Sequence, residues 1–305
     1  MITESGGERP AILASRHIFY FLFVIASLVP FRVPLNGWFL LAFDDHRYSH
    51  VLVIPFVTLC LVYLNRAAIF LEPRYAVVAG TSVLLAGSLF YGVASFAWID
   101  HGWILFALII AIVSVWIGGF ILCYGTRACK SAAFPLLVLL LMVPMPTGLL
   151  DSITRVLQMG SAEITYLLFT LAKVPVFRDG YTFNLPGVTI EVAEQCSSIR
   201  SSTALFITSI LVGYFFLRSG WTRVCVSLLT LPIAMFTNAV RIVAISSLAV
   251  YVNLDFLEGK LHRQGGALFS LISVGILMSM VFVLQRSRAC WQAEGGAGRV
   301  SQERM

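Results

Sequence analysis

The sequence predicts an all-α integral membrane protein: a polytopic bundle of about eight transmembrane helices, plus an outer interfacial amphipathic helix and a short exterior hairpin. Three observations predict it. The chain is 59% hydrophobic and only 12% charged, whereas soluble domains carry about 25% charged residues. Its mean hydropathy is +0.89. Apolar runs long enough to cross a bilayer recur along its 305 residues, separated by short polar connections.

The elements follow in order. Residues 1–16 are polar and carry Arg9 and Arg16. No signal peptide with a cleavage site is visible, and the run from Phe19 reads as an uncleaved start-transfer helix. Spans are expected at 17–35, 50–64, 75–97, 103–123, 131–146, 199–217, 224–252 and 266–285, so that 17–285 forms the transmembrane domain and 286–305 a tail. Connections 65–74, 124–130 and 218–223, with the two termini, hold 12 of the 21 Lys and Arg but five of the 15 acids. By the positive-inside rule these segments are cytoplasmic, and the acid-rich connections exterior. Eight spans with both termini inside satisfy that pattern.

The same pattern constrains residues 153–172, which carry Arg155, Gln158, Ser161 and Glu163 among Leu and Val. The segment 147–198 must start and end on the outer face. The stretch is therefore expected to lie in the interface as an amphipathic helix, or to dip in and return. Beyond it, Asp179 to Ala193 reads as a hairpin. Pro186-Gly187 supplies the turn, and Val188, Ile190 and Val192 alternate with Thr189, Glu191 and Ala193.

The formal charge of +6 fits cytoplasmic loops, and no basic tract with interleaved aromatics suggests nucleic-acid binding. Six cysteines occur without a C-x-x-C pair, so neither a metal site nor a redox dithiol is expected, and no cofactor motif is present. Cys60, Cys123, Cys129, Cys225 and Cys290 read as apolar fillers or inert thiols. Cys196 differs, because it stands where a polar segment enters an apolar helix. There the free N–H groups and the helix dipole favour thiolate.

Arg241 falls in the outer half of its span, a costly place unless a polar cavity or partner receives it. Asn238 lies one turn earlier on the same face. A structural Arg241 reaching the headgroups is the alternative. His262 enters the last span from outside. The topology brings Cys196, Arg241 and His262 to one face of the membrane as nucleophile, oxyanion holder and proton shuttle. Around them, Arg200 either binds an acidic substrate residue or pairs with Glu191 or Glu194. Those two carboxylates orient His262 or Arg241, recognise basic groups, or are simply solvated. His50 lines an entrance or is structural. Ser197, Ser198, Ser201 and Ser202 read as helix caps. A transporter or flippase for a polysaccharide or lipid precursor is the rival reading. It suits an intramembrane Arg and Pro232, but no inverted repeat is evident and the charges cluster on one face.

Several stretches resemble the exosortase/archaeosortase family. Val174-Pro-Val-Phe-Arg-Asp-Gly, followed by Leu185-Pro-Gly-Val-Thr-Ile-Glu-Val-Ala-Glu-Gln-Cys-Ser-Ser-Ile-Arg-Ser, is similar to its signature region. Asn238-Ala-Val-Arg241 looks like its Asn-x-x-Arg motif, and His262 with Gly266 like its His-x-x-x-Gly motif. Arg47-Tyr-Ser-His50 and Met142-Val-Pro-Met-Pro146 resemble its N-terminal landmarks. The resemblance implies a membrane cysteine peptidase or transpeptidase in a bacterial inner membrane, with Cys196, Arg241 and His262 as its catalytic residues on the exterior face. It implies exported substrate proteins that end in a Pro-Glu-Pro-type motif, an apolar helix and a basic tail, met at the lipid bilayer. Three positions depart from the family pattern: Ser198 stands for a glycine, Val51 follows His50, and Ala267 follows Gly266.

Overall fold

A computed structural model of the chain describes residues 8–97, 100–192, 199–252, 266 and 268–286. Cys196, Glu194, His262 and the tail beyond Arg286 lie outside the described residues. Among the described residues, six helices are long and apolar enough to cross a membrane, or up to eight segments if each of two bent pairs counts as one. The protein is an all-α polytopic membrane protein with one small sheet. It divides into two compact units, Met1–Leu150 and Asp151–Met305.

In the first unit, α1 (Glu8–Leu28) and α2 (Arg32–Asp44) meet at 82°. The expected continuous span 17–35 is thus broken. Pro30 lacks the N–H that a helix needs and biases Val29 away from helical geometry. Asp45 then caps a 3-10 turn, His46–Leu52, accepting a bond from the Arg47 N–H at 2.9 Å. Partial burial disfavours the Asp45 charge. Hydrogen bonds and charge from Arg47, 2.8 Å away, outweigh it and hold the carboxyl below its usual range.

Next come α3 (Ile54–Leu64), α4 (Arg66–Ile69), α5 (Val77–Ser95) and α6 (His101–Ser131). Helices α5 and α6 form the most extensive helix contact of this unit. Glycines make it possible: a Cβ at Gly80 would stand 2.5 Å from Leu122 Cα, and one at Gly118 2.7 Å from the Leu84 nitrogen. Small residues let membrane helices approach backbone to backbone. The expected loop 124–130 is instead helical, interrupted only at Gly125, whose φ of 89° suits glycine. The incoming Arg74 N–H donates to the Tyr124 carbonyl at 3.2 Å.

The expected span 131–146 is not one crossing. It holds α7 (Ala133–Leu139) and a 3-10 turn to Met142, bent 94° from the following helix. Pro144 and Pro146 end the helical run. Long-range bonds fix the bend: Trp38 Nε1–H donates to Met142 O and the Tyr48 hydroxyl to Met145 O, each at 2.8 Å. Tyr48 is 2% exposed. The two N-terminal landmarks, Arg47–His50 and Met142–Pro146, are therefore in direct contact.

The second unit is built on α8 (Thr147–Leu171), which begins six residues before the expected amphipathic stretch. Thr154, Gln158, Ser161 and Thr165 recur at helical spacing and are all buried. Leu149, Val156, Met159, Leu167 and Leu171 are exposed, with Asp151, Arg155 and Glu163 among them. A soluble amphipathic helix buries the opposite face.

The hairpin has three strands rather than two: β1 (Phe177–Asp179), β2 (Thr182–Leu185) and β3 (Val188–Glu191), antiparallel in that order. Phe183 and Leu185 from β2 join Ala162 and Phe169 of α8, Val192 and Ile242 in one buried cluster. The unit is completed by α9 (Ile199–Phe216), α10 (Gly220–Tyr251) and α11 (Leu268–Arg286). These three helices pack through Leu205, Val226, Ala234, Leu277 and Val281. Ser201 and Ser202 lie inside α9, three and four residues into the helix, and are not its caps.

Candidate active site

Three helical faces of the second unit line one cleft. On α10 these are Ala234, Thr237, Asn238 and Arg241, and on the α11 side Gly266, Phe269, Ser270 and Ser273. Both sets follow the i, i+3, i+4, i+7 spacing of a single helix face. From α9 come Ser201, Ser202 and Leu205. The cleft is open to solvent on one side.

Its walls are tied by hydroxyl pairs. Thr237 and Ser273 stand 2.8 Å apart and join α10 to α11, while Ser270 and Ser201, 2.9 Å apart, join α11 to α9. Most of these hydroxyls also donate back to their own helix: Thr237 to Ile233 O, Ser270 to Gly266 O and Ser273 to Phe269 O, at 2.7–2.9 Å. Ser202 differs. It is 6% exposed, and its Oγ has no hydrogen-bond partner among the described residues.

Of the residues singled out in the sequence, Arg241, Asn238 and Gly266 come together here. Arg241 is half-buried and Asn238 is 4% exposed. A guanidinium and an amide, with no carboxylate among the described lining residues, suit a ligand atom that carries or develops negative charge. Two other candidates are not brought in. Arg200 is exposed on the first turn of α9, and Glu191 is exposed at the end of β3 opposite Thr182. His50 belongs to the first unit, half-buried on the 3-10 turn.

The chain is firmly held where it leaves the sheet. The Val192 N–H donates to Tyr181 O at 2.9 Å, and its carbonyl accepts from the buried Gln158 Nε2–H. Its side chain is fully buried. Gln158 therefore fixes the last described residue before Cys196, four positions on.

The family model of transmembrane exosortases matches residues 38–279. The chain belongs to the transmembrane exosortase family. The match runs from α2 through most of α11, and so takes in the landmark contact, the sheet and all three walls of the cleft. No curated protein and no solved structure matches the chain.

Sequence reasoning missed part of this exosortase's cleft. Ser202 read as a helix cap, and Thr237, Ser270 and Ser273 were not singled out. For three of them the signal is periodic: Thr237 shares a helix face with Arg241, and Ser270 and Ser273 share one with Gly266. Gln158 read as a weakness in a candidate span. Its spacing from Thr154, Ser161 and Thr165 marks instead a buried polar stripe, in which Gln158 bonds the Val192 carbonyl.

Proposed function

We propose that this exosortase is a cysteine peptidase or transpeptidase of the cell inner membrane, with its site on the exterior face. Its substrates are exported proteins carrying a C-terminal motif, an apolar helix and a basic tail. Cys196, as thiolate, attacks the scissile carbonyl, and Arg241 holds the developing oxyanion. The proton passes through His262 to the leaving amine. The thioester is then resolved by water or by an acceptor amine. No cofactor or nucleic acid takes part.

The observation that carries this reading is the convergence of Arg241, Asn238 and Gly266 on one polar cleft. Covalent connectivity supports it. Cys196 precedes the start of α9 by three residues and His262 precedes Gly266 by four. At about 3.6 Å per extended residue, that limits them to roughly 11 and 14 Å from those points.

The test uses a reporter ending in a Pro-Glu-Pro motif, an apolar helix and a basic tail, expressed with the exosortase. Cys196→Ala and Cys196→Ser are expected to accumulate normally and leave the reporter unprocessed. A membrane-impermeant thiol reagent is expected to modify Cys196 in cells with a permeabilised outer envelope. Full processing by Cys196→Ala would overturn the mechanism, and protection of Cys196 from the reagent would overturn the assigned face.

A further inference from the structure

We infer that the Ser202 hydroxyl donates to a backbone carbonyl of the substrate peptide, making Ser202 a substrate-positioning residue of the cleft. This rests on the peptidase reading above.

Ser202 departs from the rule its neighbours obey. A hydroxyl within a helix ordinarily donates to the carbonyl three or four residues back, as those of Thr237, Ser270 and Ser273 do. The Ser202 Oγ is buried and makes no such bond, and it lines the same cleft as Arg241. A buried hydroxyl without a partner destabilises the fold that contains it. The arrangement is sensible where a ligand completes the bond.

The lining chemistry indicates which ligand group does so. Apart from Arg241, the polar side chains among the described lining residues are hydroxyls and one amide. Neutral donors and acceptors in a row match the alternating N–H and C=O of an extended peptide. Ser202 lies three residues into α9 from Ile199, about 4.5 Å along the axis.

The experiment compares two reagents on the full-length protein in lipid vesicles, with Cys196 modification followed by mass spectrometry. One is a Pro-Glu-Pro peptidyl chloromethyl ketone, which needs the cleft. The other is iodoacetamide, which needs only the thiol. The peptide reagent is expected to modify Cys196 of the parent protein faster than iodoacetamide. In Ser202→Ala its rate is expected to fall about tenfold, the value of one hydrogen bond. The iodoacetamide rate is expected to stay unchanged, and the thermal midpoint to hold or rise. Ser202→Thr, which keeps the hydroxyl, is expected to restore the peptide rate.

A parental peptide rate in Ser202→Ala overturns the inference. So does an equal slowing of both reagents, the mark of a structural role. An effect that vanishes when the reagent carries Pro-Gln-Pro assigns Ser202 to the acidic side chain and overturns the backbone contact. If the parent protein shows no preference for the peptide reagent, the peptidase reading itself fails and takes the inference with it.

Discussion

Replacing Gln158 with leucine removes one hydrogen bond at the point where the chain leaves the sheet toward Cys196. The side chain is buried, and its Nε2–H is the bond the Val192 carbonyl receives. Leucine keeps the bulk and loses the donor. The carbonyl then stands unsatisfied in a buried place, at a cost of about 1–3 kcal/mol. Since roughly 1.4 kcal/mol is a factor of ten, local opening at Val192 becomes about 5- to 150-fold more frequent.

Hydrogen–deuterium exchange in detergent micelles reads this directly. The Val192 amide, bonded to Tyr181 O, is expected to exchange faster by that factor. The Phe183–Ile190 register between β2 and β3 is expected to be little changed. Gln158→Glu is expected to behave worse, because an ionised carboxylate accepts only and its charge would be buried. Unchanged exchange at Val192 in Gln158→Leu would refute the claim that this amide holds the segment.

Two further outcomes are expected. Arg241→Lys keeps the charge but loses the planar fork; if Arg241 holds the oxyanion, processing at matched protein levels falls on the order of 10²–10³-fold, whereas near-normal turnover would mark Arg241 as a structural residue reaching the headgroups. In α5, Gly80→Ala is expected to lower stability by about 1–3 kcal/mol, since its Cβ meets the Leu122 backbone; Gly92→Ala, which meets nothing within 4 Å, is expected to be neutral or stabilising, and equal thermal midpoints for the two variants would show that the α5–α6 contact is not as close as described.

The long spans were legible because burial in lipid demands uninterrupted apolar helix, and 75–97, 199–217 and 224–252 reappear as α5, α9 and α10 with small shifts at their ends. The two breaks were not. An apolar window averages across Pro30 or Pro144, and the bonds that hold the second bend, from Trp38 and Tyr48, come from about a hundred residues away. Basic residues at Arg127 and Lys130 suggested a loop, yet helix persists through them because charge alone does not end a helix. At the site, Arg241, Asn238 and Gly266 stood out as costly or motif-bearing residues in an apolar setting. The hydroxyls beside them did not, since serine in a membrane helix ordinarily bonds its own backbone and leaves no trace in composition. Arg200 and Glu191 are exposed on a helix turn and at a strand end, while Glu194, Cys196 and His262, with which they were expected to act, lie outside the described residues.

The buried polar stripe of α8 bears on how the chain is made. During synthesis α8 emerges before its later partners: Val192 bonded to Gln158, then Met235 against Gly160 and Ile242 in the cluster with Ala162 and Phe169. Until Val192 is in place, this helix carries in Gln158 an amide that hydrocarbon cannot satisfy. Its docking is thus a late event, governed by the C-terminal half. A chain released after α9 would retain α8 in sequence but not in place, leaving a polar seam for quality-control proteases to find.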